Sequence, residues 1–253
     1  MNAVSAVFYR DFRQRMTNVT LVFWDLLAPI AYLVLFGIGF EHMIGQAPVV
    51  GGHSFSYTAF LVPGILAMVA FGIGLNTSWG FFMDKESGIV YELLTYPITR
   101  PQILLGKVCF NILLSLTGAV LVIVIAAGTM GVPVAWQALP LTVLVTVVST
   151  AAWFFMFTGS AISIDRMDAY NAVVGALYIL LMFFSTMFYP LDGVPAWFRI
   201  TSYLNPLTWQ TDLLRYALLG LGTPSMLILE GLALIAFTVG CMAYAVRALN
   251  RVA

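Results

Sequence analysis

Apolar residues run through this chain in long blocks parted by short polar stretches, and the blocks define its elements. Six blocks, near 21–40, 57–82, 103–130, 138–164, 169–189 and 225–246, have the length of a bilayer-crossing helix, about 20 residues. The pattern predicts an all-α polytopic membrane protein: one domain, residues 1–253, with six transmembrane helices. Two further stretches are amphipathic. In 1–20, Val4, Val7, Phe8 and Phe12 lie near one face, and Arg10, Asp11, Arg13, Gln14 and Arg15 supply the other. That is the pattern of an interfacial helix lying on an anionic leaflet. In 190–220, prolines break an aromatic segment too often for it to span. Short helices over 196–203 and 208–219 are expected to dip into the interface, with Asp212 and Arg215 as an i,i+3 pair.

The longest polar interruption is 84–107, DKESGIVYELLTYPITRPQILLGK. It carries six of the chain's 22 charged residues (11 basic, 11 acidic): Asp84, Lys85, Glu86, Glu92, Arg100 and Lys107. Ile89, Val90, Leu93 and Leu94 fall on one face of a short helix, with Glu86, Tyr91, Glu92 and Thr95 pointing elsewhere. Pro97 stops that helix, because proline lacks an N–H and biases Tyr96 toward extended backbone. Thr99-x-x-Gln102 with Pro101 then reads as a capped start for the next span. A short helix with a hard stop at a membrane surface is either an ordinary interfacial loop or a handle for a soluble partner.

Composition sharpens the membrane reading. The chain is 61% hydrophobic and 9% charged, against about 25% charged in soluble domains. Net charge is zero, so there is no electrostatic footprint for nucleic acid. Cys109 and Cys241 both fall in apolar runs and read as small hydrophobes. His42 and His53 read as isolated loop histidines, and no metal site is expected. The first apolar run exceeds a signal-peptide core, so no cleavable leader is expected. Basic residues set orientation. With a cytoplasmic N-terminus, Arg10, Arg13, Arg15, Lys85, Arg100, Lys107, Arg166, Arg247 and Arg251 fall inside, and only Arg199 and Arg215 outside. Both termini and 84–107 then face the cytosol.

Catalytic signatures are missing. Gly106-Lys107 is the only Gly-Lys, but Pro101 and Val108 occupy positions where a phosphate-binding loop needs Gly and Ser or Thr. Neither a Gly-x-Ser-x-Gly elbow nor a His-Glu-x-x-His helix occurs, so no catalytic residue is assigned. Charges within the spans are few. Asp25, near a helix end, reads as one half of an intramembrane pair with Arg10, Arg13 or Arg15, or as a transport residue. Glu230 has no fixed basic neighbour in sequence. With so few buried ionisable groups, the energy for any transport has to arrive from elsewhere.

Three groups of words, in order and spacing, carry a family resemblance across essentially the whole chain. They are Phe55-Ser56-Tyr57-x-x-Phe60-Leu61-Val62-Pro63-Gly64; Tyr91-Glu92-Leu93-Leu94-Thr95-Tyr96-Pro97 with Arg100; and Met187-Phe188-Tyr189-Pro190-Leu191, Pro195-x-Trp197, Asn205-Pro206 and Arg215-Tyr216. They resemble the membrane subunit of an ABC-2 type exporter, of the polysaccharide, lipo-oligosaccharide and drug-efflux group. The resemblance implies a non-enzymatic permease in a bacterial inner membrane. It implies a homodimer with two copies of a separate ABC ATPase, which holds the ATP and Mg; this chain itself binds no cofactor. Residues 84–101 would be the cytosolic coupling loop. The ATPase-coupling interface would comprise Glu86, Ile89, Val90, Glu92, Leu93, Leu94, Tyr96, Pro97 and Arg100, with Asp165 and Arg166 as a second contact. Residues 1–20 would be the interfacial helix, with Arg10, Arg13 and Arg15, and 190–220 an outer re-entrant segment.

The cargo implied is amphipathic, a lipid-linked glycan or a drug-like molecule, and the shared words do not choose between them. Trp197, Phe198, Tyr203 and Trp209 read either as headgroup anchors or as an outer gate that stacks on cargo. The rival functions are a secondary transporter, which would show repeats and polar breaks at mid-membrane, and an intramembrane enzyme acting on lipid-linked substrates.

Overall fold

The computed structural model describes residues 2–43, 49–50, 53–54, 56–132, 136–191 and 193–251. Ten α-helices lie among them: α1 (Ala3–Thr17), α2 (Val19–Met43), α3 (Tyr57–Glu86), α4 (Ile89–Thr95), α5 (Arg100–Met130), α6 (Leu139–Ser163), α7 (Met167–Phe183), α8 (Ala196–Tyr203), α9 (Pro206–Leu219) and α10 (Pro224–Asn250). A two-residue hairpin, β1 (Val49–Val50) with β2 (His53–Ser54), follows α2. The His42 and His53 side chains, and Phe55 and Asp192, lie outside what is described.

Among the described residues, five helices are long and apolar enough to cross a membrane: α2, α3, α5, α6 with its preceding 3-10 turn, and α10. The sixth expected span is shorter than its apolar run. α7 has 17 residues and stops at Phe183, not near 189. The reason is competition for its last carbonyls. Asn205 Nδ2 donates to the Leu181 and Phe184 carbonyls at 2.7 and 2.9 Å. The Ser185 hydroxyl donates to Met182 O at 2.7 Å, Arg215 Nη2 to Thr186 O at 2.7 Å, and the Tyr57 hydroxyl to Phe188 O at 3.0 Å. The backbone of 184–190 is therefore irregular. Ser185, Thr186, Met187 and Phe188 are all buried in protein, the setting in which non-helical backbone is tolerated at membrane depth.

α3 is the axis of the bundle. Every residue from 57 to 71 is buried, and α2, α5, α6 and α9 pack around it. Small residues permit the approach. A Cβ added at Gly74 would sit 2.8 Å from Trp153 Cβ of α6, and one at Gly64 would sit 2.4 Å from the Met187 carbonyl oxygen. Close backbone approach of this kind is how helices associate without a hydrophobic gradient between them. Gly72, two residues before Gly74, faces open space. The Phe71 and Trp153 rings meet edge to face at 4.7 Å.

α9 runs antiparallel to α3. Arg215 lies over the Phe60 ring, 4.2 Å from its centre, while Gln210, nearer the start of α9, donates to Ala67 O at 3.4 Å and accepts from the Trp153 indole at 2.8 Å. α8 and α9 thus form a bent pair whose second arm is buried beside α3, α6 and α10.

Candidate functional site

The charged side chains gather at the two ends of α3. Phe60 and Asp84 are separated by about 36 Å of helix, at 1.5 Å per residue.

At the first end, α1 lies across the start of α5. Val7 is buried, and a Cβ at Gly106 would lie 2.7 Å from Val7 Cβ. Phe8 and Phe12 stack on each other and meet Phe110 edge-on at 6.1 and 6.4 Å. This seat brings α1 charges onto α3 and α5. Arg10 Nη2 donates to Asp84 at 3.0 Å. Lys107 Nζ donates to Asp84 at 3.1 Å and to Asp11 at 3.2 Å, and lies 5.3 Å from the centre of the Phe81 ring. Arg15 pairs with Asp25 of α2, which also accepts from Asn76 Nδ2 at 2.7 Å. Of the three arginines, Arg13 is the exposed one. α1 is thereby locked to α2, α3 and α5 by buried, hydrogen-bonded ion pairs. Breaking such a pair by removing one partner costs about 3–5 kcal/mol.

The short helix α4 hangs from this cluster. Gly88, at φ +79, turns the chain out of α3, a conformation glycine adopts without a Cβ penalty. Val90 is buried and Ile89, Leu93 and Leu94 are half-buried, so the apolar stripe faces the bundle. Tyr91 and Tyr96 are 51% and 53% exposed, and Glu86, Glu92 and Pro97 are exposed beside them. Tyr96 is extended, with ψ 158, just before Pro97. At the start of α5, the Thr99 amide donates to Gln102 Oε1 at 3.0 Å, and Arg100 is half-buried. The turn between α6 and α7 is tied to α3. Lys85 Nζ donates to Ile162 O at 2.9 Å and to Asp165 at 2.8 Å. Asp165 and Arg166 are exposed. The Lys85 ammonium, by its hydrogen bond and then its charge, holds the Asp165 carboxyl below the usual carboxylate range.

Between α1, α2, α3 and α5 lies a cavity of about 470 Å³. Its wall mixes Trp24, Trp79 and Phe110 with Arg15, Asp25, Asn76 and Lys107.

At the second end, Trp197 is 60% and Tyr203 42% exposed. Phe198 and Trp209 are half-buried. Phe198 lies 5.1 Å from the Phe184 ring and 5.8 Å from Tyr189, and the Trp209 indole donates to Tyr203 O at 2.6 Å. Deeper, Arg215 Nη1 donates to Asp212 at 2.5 Å, and the Thr186 hydroxyl donates to the same carboxylate oxygen at 2.8 Å.

Sequence reading passed over Asp11, Asp84, Lys107, Asn76, Asn205 and Gln210 as members of built sites. A signal was present for Lys107 alone: a lysine one helical turn or more inside an apolar run needs a carboxylate partner. Among the described residues, no group of three His, Cys, Asp or Glu residues could hold a metal. Cys109 is exposed and Cys241 buried, and neither is in a disulfide.

Comparison with known proteins gives a consistent result. A family model described as ABC-2 type transporter matches residues 2–219. The ycf38 protein of Cyanophora paradoxa, which carries a transport-permease name, is 30% identical over 76% of this chain and 65% of its own length. The inner membrane transport permease YadH of Escherichia coli is 28% identical over 78% of this chain and 76% of its own. YbhR of the same organism, named as a probable multidrug ABC transporter permease, is 25% identical over 62% of this chain and 43% of its own.

Proposed function

This chain belongs to the ABC-2 type transporter family, a transport-permease membrane subunit, and from that premise we propose that it exports an amphipathic cargo, driven by a separate ATPase. Permeases of this family generally work with an ABC ATPase. The observation that carries the proposal is the exposed edge of α4. Tyr91, Glu92, Tyr96 and Pro97 face away from the bundle, on a helix with its own apolar stripe turned inward. Large exposed aromatics beside a carboxylate form a surface suited to a protein groove, since Tyr is enriched at interface hot spots. The exposed Asp165 and Arg166 add a second contact.

Orientation follows from charge. Nine of the eleven basic residues belong to element ends gathered at the α1 and α4 end, which makes that end cytosolic. Two permeases and two ATPases make up the working assembly, in a bacterial inner membrane. When ATP closes the ATPase pair, α4 is pushed. The push reaches α3 directly through Gly88 and α5 through the Pro97 stop. The Asp84–Lys107–Asp11 links carry it to α1. Such a motion has force only if the ATPase contacts differ between its nucleotide states. The cavity of about 470 Å³ beside α1 is the loading site. Its tryptophans suit an apolar body and Arg15 and Lys107 a polar head, which fits both a lipid-linked glycan and a drug-like molecule.

The test is gentle purification of the chain from its native cells. A stoichiometric partner with a phosphate-binding loop, lost from the Glu92→Arg variant while the permease stays monodisperse, is the expected result. A permease that arrives alone, under conditions where a known complex of this type survives, would overturn the reading in favour of a secondary transporter.

A further inference from the structure

A second cavity, of about 210 Å³, lies at the end of the bundle remote from α4. Phe60, Leu227 and Met226 give it apolar walls, and the ionisable side chains of Asp212, Arg215 and Glu230 line it. Two of these charges are spent on each other. Arg215 donates to Asp212 at 2.5 Å and to the Thr186 carbonyl at 2.7 Å, and Asp212 also accepts from the Thr186 hydroxyl. Glu230 is different. It is 8% exposed, its Oε2 has no hydrogen-bond partner among the described residues, and no cationic side chain lies within 4.0 Å of it there. With Asp212 and Arg215 paired to each other, Glu230 is the carboxyl on this cavity without an ion-paired partner among the described residues. A buried carboxylate without a partner is costly, and a cation supplied from outside the chain would offset that cost. A divalent metal would need several oxygen ligands, and only one carboxylate here is free. The apolar walls call for carbon beside the positive charge.

We propose that this cavity binds the ammonium group of a small organic cation, with Glu230 as counter-charge and Phe60 and Leu227 against its carbon body. The inference deepens the cargo reading and rests on it for its biological sense. The same ammonium chemistry is offered by an amine-bearing solute and by an aminophospholipid headgroup.

The experiment uses the full chain in nanodiscs of phosphatidylglycerol, with benzylamine and its neutral analogue benzyl alcohol as probes at pH 7, bound amounts being read by equilibrium dialysis. Wild type is expected to hold benzylamine at least tenfold more tightly than benzyl alcohol. Glu230→Gln should erase that preference. Leu227→Trp, which fills the cavity and leaves the carboxylate in place, should abolish benzylamine binding. Equal affinity for the two probes in wild type, or a preference kept in either variant, would overturn the proposal. This includes the case of a Glu230 that stays neutral and needs no counter-ion. Competition by added phosphatidylethanolamine assigns the site to a lipid headgroup; its absence assigns it to a solute. No ATPase enters the measurement. Failure here leaves the permease reading standing, and absence of an ATPase partner leaves the site standing.

Discussion

The two ends of α3 use buried charge in opposite ways. Near Asp84, four charges have two opposite neighbours each: Asp84 takes Arg10 and Lys107, and Asp11 takes the same two. The network joins three helices and is closed in its ion pairs, although Arg10 Nη1 makes no hydrogen bond among the described residues. Near Phe60, the Arg215–Asp212 pair supports an irregular backbone through Thr186, and Glu230 is left over. A closed network transmits displacement between elements. An open one leaves a polar group without a partner of its own. One end joins its helices through paired charge, and the other carries a carboxyl without a partner among the described residues.

The contrast breaks most severely at Arg215. Arg215→Met strands Asp212 in the protein and frees the Thr186 carbonyl, and should cost about 3–5 kcal/mol. The check is thermal unfolding followed by size-exclusion fluorescence, with partial recovery in the Arg215→Met, Asp212→Asn double variant. Lys107→Met comes next. Arg10 still compensates Asp84, so a smaller loss of about 2–3 kcal/mol is expected. The same assay should rank it below Arg215→Met, and the reverse order would undo the contrast between closed and open networks. Gly64→Ala forces a methyl against the Met187 carbonyl and should cost about 1–3 kcal/mol, read as a lower unfolding temperature. Gly72→Ala, facing open space, should not lower it.

Smaller still in stability is Tyr91→Asp. It is expected to change unfolding by less than about 0.5 kcal/mol, as exposed positions do, while ATPase association, measured by co-purification, falls at least tenfold. The smallest effect concerns pH. Asp165 has its carboxyl held below the ordinary 3.8 by Lys85. A depressed folded value means that the contribution to stability is present above 3.8 and lost as pH falls through the lower folded value. The difference in unfolding temperature between wild type and Asp165→Asn should therefore be present at pH 7 and vanish in strong acid.

Much of the fold was legible because a bilayer demands long apolar helices and punctuates them with proline and charge. Pro97, Thr99 and Gln102 set the α4–α5 junction by local rules. The early end of α7 was not legible, because its cause is remote. Nothing between Phe183 and Pro190 reveals that Asn205, Arg215 and Tyr57 will take the carbonyls there. The inward stripe of α4 could be read from its spacing. Which way that stripe faces followed only once Leu93 and Leu94 were seen half-buried. Asp11 and Asp84 looked like ordinary solvated charges, since burial at Lys107 depends on α1 lying across Gly106. Glu230 looked unremarkable for a related reason: Arg215, 15 positions before it, is already taken by Asp212.

The short α7 also bears on the surrounding lipid. Its 17 residues rise about 26 Å, while a typical hydrocarbon core is about 30 Å thick. The coil that follows is buried in protein, so the apolar wall that Val173, Ile179 and Phe183 expose is by itself about 4 Å short of a full crossing. For α7 to serve as a sixth span, the bilayer there would have to thin, or α7 stand nearly upright with no tilt to spare. Acyl-chain length thus becomes a variable of this protein's own energetics, with thinner membranes the more comfortable host.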